Sequence, residues 1–272
     1  MHHPDDDAAA AQALGQWMGE HALAGYALAL PLVLVTTLLF WWSVRRLIAR
    51  LRPLALPPVA SLGLPLAAGF GIVLAAGAVF AEMMESLRAG DALGIFDEAL
   101  ARTLSGTLPA GALQVFSVVT RLGNSGTLIG IVVLVGLLLA WRGRRWLALG
   151  WTASCTLHGL LNQALKRLFE RARPVHDHGY VVETTFSFPS GHAAGSMVVY
   201  GLLAYLGLRL LPSRWHLPLL LATAVLVFTL GVSRVMLQVH WASDVLAGFG
   251  SGLAWLTVSV LSIEILRRQR SK

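Results

Sequence analysis

The chain is too apolar for a soluble domain: 56% of its 272 residues are hydrophobic and only 13% are charged, whereas soluble domains carry about a quarter charged residues. Its formal net charge of +7 comes from short Lys and Arg clusters between apolar runs, which fits anionic lipid headgroups better than nucleic acid. The single cysteine, Cys155, excludes an intramolecular disulfide and a cysteine-based metal site. We therefore expect a membrane protein with no nucleic-acid partner.

The N-terminal segment predicts that the first apolar run stays in the membrane as an anchor. Residues 1–20 contain no Lys or Arg, and they include Asp5, Asp6 and Asp7. The n-region of a cleaved signal peptide carries positive charge instead. We therefore expect no cleavage after the first apolar run.

Seven apolar segments are long enough to cross a bilayer as helices. They lie at 23–43, 59–82, 124–141, 146–166, 192–211, 217–235 and 241–265. The third is short but can extend back through Ala110–Val119, and the residues from Gly123 to Gly126 would then mark a break or a start. The residues from Phe96 to Leu104 have helical spacing with one apolar face, which leaves open a short amphipathic helix at the interface or a polar connection. The predicted fold is an all-α polytopic transmembrane helix bundle.

The distribution of positive charge predicts the orientation. Seven spans put the termini on opposite sides, with thirteen Lys and Arg residues on one side and eight on the other. The thirteen are Arg45, Arg46, Arg50, Arg52, Arg142, Arg144, Arg145, Arg209, Arg214, Arg267, Arg268, Arg270 and Lys272. The eight are Arg88, Arg102, Arg121, Lys166, Arg167, Arg171, Arg173 and Arg234. Because positive residues prefer the cytoplasm, we expect a cytoplasmic C-terminus and an external N-terminus.

The first of three polar clusters ends the fourth span. Lys166 and Arg173 are seven residues apart, two helical turns, so a continuous helix would put them on one face. Pro174 then biases the chain away from helix. Taken alone, the cluster is also explained by cations that snorkel to the membrane surface.

The second cluster, Pro189-Ser190-Gly191-His192, comes directly before the fifth span. Ser190 is a suitable helix N-cap, and Gly191 lets a ligand approach the backbone closely. The free N–H groups of a first helical turn and the helix dipole favour an anion there. A capped helix start, however, needs no function.

The third cluster contains Ser233, Arg234, His240 and Asp244. His240 and Asp244 are four residues apart at the start of the seventh span, which would make them neighbours on one helix face. A carboxylate beside an imidazole fixes its tautomer and prepares the ring for chemistry. Taken alone, a structural His–Asp hydrogen bond at a helix end explains the pair as well.

Together the clusters predict a phosphate site, because all three fall on the same predicted side, at the ends of spans. Ionisable groups at membrane depth are costly and usually functional. Three cations match a bound phosphate dianion. Two histidines suit attack on phosphorus and protonation of the leaving oxygen. No pair of carboxylates suggests magnesium, and we expect neither a metal nor another cofactor.

The clusters resemble the signature of the type 2 phosphatidic acid phosphatase family, which is shared with soluble vanadium haloperoxidases. That signature is K-x6-R-P, then P-S-G-H, then S-R-x5-H-x3-D, and the chain fills all of its positions, with the resemblance covering about residues 59–265. The family core has three spans before the first motif and this chain has four. The resemblance therefore implies a six-helix phosphatase core, residues 59–272, after an N-terminal region, residues 1–58, with an extra transmembrane helix and a basic cytoplasmic loop.

The resemblance also implies a role for each site residue. His240 corresponds to the nucleophile, Asp244 to its orienting partner and His192 to the general acid. The phosphate-binding residues correspond to Lys166, Arg173, Ser190, Gly191 and Arg234. The implied reaction is metal-independent hydrolysis of a lipid phosphate through a phosphohistidine.

The implied substrate is a lipid phosphate monoester or diphosphate, with undecaprenyl diphosphate, phosphatidylglycerophosphate, phosphatidic acid and lipid A phosphates as candidates. We expect a bacterial inner membrane with the active site on the periplasmic face, which would favour undecaprenyl diphosphate. A lipid phosphotransferase with the same intermediate and a non-enzymatic lipid transporter stay open as alternatives. A haloperoxidase is disfavoured because those enzymes are soluble. The sequence leaves the oligomeric state open.

Several polar residues near the clusters have weaker interpretations. A metal site at His176-Asp177-His178 is conceivable, but a solvated loop or lid is favoured. Arg167 and Arg171 either contact an anionic headgroup or snorkel. Glu170 can reach Lys166 or Arg173, and His158 is interpreted as a hydrogen-bonding residue within a span.

Overall fold

The computed structural model describes residues 4–51, 67–71, 74–75, 77–80, 82–83, 85, 92–175 and 178–270. The regular structure in these residues is entirely helical. In chain order the helices are α1 (Pro4–Glu20), α2 (Ala22–Leu51), α3 (Ala92–Thr107), α4 (Ala110–Val119), α5 (Ser125–Trp141), α6 (Arg145–Phe169), α7 (Gly191–Leu210), α8 (His216–Met236) and α9 (Ala242–Arg270). Short 3-10 turns occupy Thr120–Gly123 and Ser213–Trp215, and the described residues within 67–85 are helical too.

Five segments of the described residues are long and apolar enough to cross a membrane, which confirms the predicted membrane bundle. They are Ala22–Leu47, Ala110–Trp141, Gly191–Leu210, Ser213–Met236 and Ala242–Arg267. Helix α6 covers the predicted span at 146–166 but is more polar than these five. The predicted span at 59–82 lies only partly within the described residues, and the boundary at residue 58 lies outside them, so the two-part division stays a prediction.

The break predicted near Gly123 is confirmed. Helix α4 ends at Val119, a 3-10 turn follows, and α5 begins at Ser125 with Asn124 as its N-cap residue. Since Asn124 has an extended backbone, the chain changes direction here rather than continuing as one straight helix.

Close packing of α7 against α9 places the second and third polar clusters side by side. A Cβ atom on Gly248 of α9 would lie 2.8 Å from the Ser190 carbonyl oxygen, so only glycine permits this approach. The Ser190 N–H donates to the Asp244 carbonyl oxygen at 3.0 Å. The start of α7 is thereby fixed to the start of α9.

The residues from Phe96 to Leu104 belong to helix α3, which confirms the predicted helix over a polar connection, while its place at the membrane interface stays a prediction. Helix α1 packs against it, with the buried residues Gly15 and Gly19 facing Ala99 and Thr103. The inner face of α3 also contains Asp97, whose side chain is only 1% exposed. Such a carboxylate needs partners, because burial of an unpaired charge is costly.

Candidate active site

The predicted site residues converge at one end of the bundle. The Arg173 guanidinium lies 3.0 Å from His240 Nε2, and Asp244 Oδ2 lies 3.2 Å from His240 Nδ1. Lys166 and Arg173 both donate to the Phe186 carbonyl oxygen, Arg173 at 3.2 Å. Residues from Lys166 to Asp244 are thus held in one cluster.

The prediction that Lys166 and Arg173 share a helix face is wrong. Helix α6 ends at Phe169, and Glu170 adopts a left-handed conformation with φ 45°. The residues that follow leave the helix before Pro174, which disfavours helical backbone in the residue preceding it. Lys166 and Arg173 meet because both reach the Phe186 carbonyl oxygen, so their proximity comes from the loop and not from helical periodicity.

Arg234 is the most deeply buried cation of the site, with a side chain that is 0% exposed. Its Nη1 donates to Thr120 Oγ1 at 2.9 Å, and its Nη2 donates to Glu183 Oε1. The other oxygen of Glu183 lies 4.0 Å from Arg173 Nη2. A carboxylate therefore lies between two cations of the predicted phosphate site, and sequence reasoning did not place Glu183 there.

His240 is held as a neutral imidazole with a defined tautomer. Since a guanidinium can only donate, Nε2 must accept from Arg173, and the proton on Nδ1 is then donated to Asp244. Burial and the positive charges of Arg173, Arg234 and Lys166 lower the pKa of His240 well below its usual value. The unprotonated Nε2 consequently faces the cations.

The prediction that His240 and Asp244 lie on one helix face is wrong, although their contact is confirmed. Helix α9 begins at Ala242, so His240 precedes the helix. Asp244 Oδ2 accepts from the backbone N–H of Trp241 at 3.0 Å as well as from His240. The carboxylate thus folds back over the open N-terminus of α9, where its negative charge is favourable.

The predicted N-cap at Ser190 is confirmed, since its side chain accepts from the Ala193 N–H at 3.4 Å. A Cβ on Gly191 would lie 3.1 Å from Asn162 Nδ2 and 3.9 Å from Lys166 Cε. The absence of a side chain at Gly191 keeps the start of α7 open toward Lys166.

His192 Nε2 lies 2.9 Å from Asn124 Oδ1. Because the amide oxygen accepts, Nε2 carries the proton.

Arg171 neither snorkels nor faces outward. Its Nη1 donates to Asp244 Oδ1 at 2.6 Å and its Nη2 to Asp97 Oδ2 at 2.9 Å, and its side chain is 19% exposed. The sequence offered a signal for the burial of Asp97: it lies at helical spacing from Leu100 and Leu104, so it falls on the apolar face of α3. The first cluster therefore contributes to the site through an arginine outside the signature.

The loop that was considered for metal binding is only partly described, because His176 and Asp177 lie outside the described residues. His178 Nε2 lies 2.7 Å from the Leu237 carbonyl oxygen, and Nδ1 accepts from the Tyr180 N–H at 3.1 Å. The Nε2 bond therefore holds the loop against the end of α8, and the Nδ1 bond lies within the loop. Glu170 and Arg167 are exposed at the end of α6.

Comparison with known proteins decides the family. The model of the PAP2 superfamily matches residues 147–268. Phosphatidylglycerophosphatase B of Bacillus subtilis is 34% identical over 162 residues, which are 58% of this chain and 79% of that protein. The chain belongs to the PAP2 superfamily. The resemblance found in the sequence is thereby confirmed.

Other relatives of this PAP2 protein are also named as phosphatases of lipid phosphates. A lipid A 1-phosphatase of Rhizobium etli is 32% identical over 177 residues, covering 56% of this chain and 72% of that protein. An undecaprenyl-diphosphatase of Sulfolobus acidocaldarius is 31% identical over 138 residues, covering 48% and 63%.

The fold of this PAP2 protein matches that of a solved membrane phosphatase. The crystal structure of a transmembrane PAP2 type phosphatidylglycerolphosphate phosphatase from Bacillus subtilis superimposes with a TM-score of 0.65 at 29% identity. The match covers 69% of this chain and 94% of the solved one. The apolar helices and this match identify an integral membrane protein.

Proposed function

We propose that this chain is an integral-membrane phosphatase that hydrolyses a lipid phosphate monoester or diphosphate through a phosphohistidine on His240. The observation that carries the proposal is the unprotonated Nε2 of His240, which faces the cations while Nδ1–H is held by Asp244. The named substrates of the relatives share a phosphate on a lipid, which is the group that such a site recognises.

The phosphate would bind among Lys166, Arg173 and Arg234, which we call the phosphate clamp. A carboxylate, Glu183, already lies between the two arginines, so the clamp has the charge and spacing to hold an oxyanion. A phosphate dianion would compete with Glu183 for the arginines. The first N–H groups of α7, near Gly191 and the capping Ser190, offer further donors to phosphate oxygens.

The first chemical step would be attack of His240 Nε2 on phosphorus. The P–N bond forms as the bond between phosphorus and the leaving oxygen breaks, and His192, which must start as the imidazolium, donates one proton to that oxygen and becomes neutral. The imidazole becomes positively charged, and Asp244 stabilises it through Nδ1–H. The clamp neutralises the charge on the phosphoryl oxygens as the transition state forms.

The second step would return the enzyme to its starting state. Water attacks the phosphorus of the phosphohistidine, and His192, now neutral, accepts a proton from that water. The P–N bond breaks, and its electron pair returns to His240 Nε2. Inorganic phosphate leaves, and Glu183 can again pair with the arginines.

The active site is proposed to face the periplasm of a bacterial inner membrane, with the C-terminus in the cytoplasm. The excess of positive charge on the opposite side supports this orientation. An outward site favours undecaprenyl diphosphate, although phosphate recognition alone does not distinguish it from phosphatidylglycerophosphate.

The test is phosphate release by the purified protein from four substrates: undecaprenyl diphosphate, phosphatidylglycerophosphate, phosphatidic acid and a lipid A phosphate. We expect release that persists in excess EDTA, because fixed cations supply the charge, and inhibition by orthovanadate, which adopts five-coordinate geometry. Loss of activity in EDTA that magnesium restores would contradict the metal-independent mechanism. Transfer of label to an added lipid alcohol in place of water would instead indicate a phosphotransferase, and no release from any substrate would favour a transporter.

A further inference from the structure

A buried chain of charges extends from His240 to helix α3. Asp244 Oδ1 accepts from Arg171 Nη1 at 2.6 Å, and Arg171 Nη2 donates to Asp97 Oδ2 at 2.9 Å. The two carboxylates are 1% exposed or less. One guanidinium thus pairs two buried carboxylates, and removal of either bond leaves a buried charge without its partner.

Asp97 also caps helix α9 from a different helix. Its Oδ1 accepts from the Ser243 backbone N–H at 3.2 Å, and its Oδ2 accepts from the Ser243 hydroxyl. These donors belong to the first turn of α9, whose N–H groups have no partner within the helix. The negative charge at this helix N-terminus is favourable, so Asp97 fixes the turn from which the Asp244 side chain projects.

Arg171 is itself held in one place. Its guanidinium carbon lies 5.4 Å from the centre of the Trp241 ring, within the range of a cation–π contact. Trp241 Nε1 donates to the Ala172 carbonyl oxygen at 2.9 Å, and Arg171 Nη1 also donates to Ser243 Oγ at 2.7 Å. The guanidinium therefore presents a preset donor to Asp244 Oδ1.

The arrangement assigns different tasks to the two oxygens of Asp244. With Oδ1 fixed by Arg171, Oδ2 remains for His240 Nδ1 and the Trp241 N–H. Rotation of the carboxylate would break the bond to Arg171 and the bond to His240 together. The orientation of the His240 imidazole consequently depends on Arg171 and Asp97, which contact neither His240 nor the phosphate clamp.

We infer that Asp97 and Arg171 are positioning residues for His240, acting through Asp244. This role rests on the proposed function, in which His240 is the nucleophile. Asp97 lies outside residues 147–268, which match the family model, and it is carried by α3, against which α1 packs. Asp97 thereby links helix α3 to the chemistry.

The test is a double-mutant cycle between Asp97→Asn and Asp244→Asn in the full chain. The assay follows kcat and KM with phosphatidylglycerophosphate in mixed micelles. We expect Asp97→Asn to lower kcat roughly 10- to 100-fold, the size found for outer-shell partners of reactive groups, with KM changed less than about threefold. In the Asp244→Asn background the same change should cost less than about threefold, because it acts through the missing carboxylate.

Arg171→Lys provides a second arm, since it keeps the charge but cannot bridge both carboxylates with a planar fork. It should lower kcat with little change in KM, and it tests the inference if Asp97→Asn does not fold. Glu98→Gln is the matched control, because Glu98 is the exposed neighbour of Asp97 and pairs only loosely with Arg102 at 3.8 Å. Its kcat should equal that of the wild type.

Other outcomes would overturn the inference. Unchanged kcat in Asp97→Asn and Arg171→Lys, a rise in KM alone, or equal losses from Asp97→Asn in both backgrounds would show that these residues do not act through Asp244. If His240→Ala still forms a phosphoenzyme, the proposed function itself fails. A wild type that releases no phosphate would contradict both.

Discussion

Replacement of Asp244 by asparagine tests whether the carboxylate sets the tautomer of His240. Asp244 accepts three hydrogen bonds at the site: two on Oδ2, from His240 Nδ1–H at 3.2 Å and the Trp241 N–H at 3.0 Å, and one on Oδ1, from Arg171 at 2.6 Å. An amide has only one oxygen. In one orientation its NH2 group faces the Arg171 guanidinium. Since both groups are donors, the hydrogen bond from Arg171 is lost, and a hydrogen bond to a charged group is worth about 1.5–3 kcal/mol.

In the other orientation of the asparagine, the amide oxygen faces Arg171 and the NH2 group faces His240. The imidazole must then accept at Nδ1 and carry its proton on Nε2, which removes the lone pair that attacks phosphorus. The same change in a Ser-His-Asp triad costs about 10⁴ in kcat. We expect a loss of about 10³- to 10⁴-fold here, or ~4–5.5 kcal/mol in activation free energy.

The assay is rapid-quench trapping of phosphoenzyme from labelled substrate. The rate of phosphoenzyme formation should fall with kcat, while KM should change little because the clamp is intact. Glu264→Gln is the matched control, a carboxylate-to-amide change farther along α9 at a residue that pairs with Arg267 and Arg209. A kcat of Asp244→Asn within tenfold of the wild type would refute the tautomer argument.

Three further predictions concern acid–base chemistry and orientation. Because protonation of His240 removes the attacking lone pair and its pKa is held well below the usual value, the acidic limb of the kcat/KM profile, corrected for substrate ionisation, should be centred well under about 6.5; an acidic limb centred at or above that value would contradict this. His192→Ala should lower kcat by about 10²–10⁴, and the loss should shrink with an aryl phosphate, whose leaving group needs no proton; equal losses with both substrates would argue against a general acid. In a Cys155→Ala background, an impermeant thiol reagent should label intact cells at His178→Cys and not at Arg144→Cys, and the reverse pattern would place the active site in the cytoplasm.

The sequence determined the properties that depend on neighbours along the chain. The apolar runs indicated a helical membrane protein, since a span needs only sufficient length and hydrophobicity. The N-cap at Ser190 and the break near Gly123 were also predictable, because turn and cap residues act on their own backbone. The motif spacing identified the family, and the residues it selected lie at one end of the bundle.

Two pairs that were predicted to lie on one helix face do lie close together, but for a different reason. Lys166 and Arg173 meet across a loop, because α6 ends at Phe169 and does not extend for two further turns. His240 contacts Asp244 from outside α9, through a side chain that folds back over the helix start. Helix boundaries respond to backbone and capping contacts that a periodic pattern does not contain.

Only the tertiary structure decided which distant side chains complete the site. Glu183 meets Arg234 across 51 positions, and Asp97 meets Arg171 across 74. Neither acidic residue belongs to a motif. The position of Asp97 on the apolar face of α3 is a signal in the sequence, but it does not identify the partner, and Glu183 has no such signal. Asp97 is buried and needs the cation that the fold brings to it, since an unpaired buried charge would be too costly. Glu183 is partly exposed and lies in a loop, and it reaches the buried Arg234.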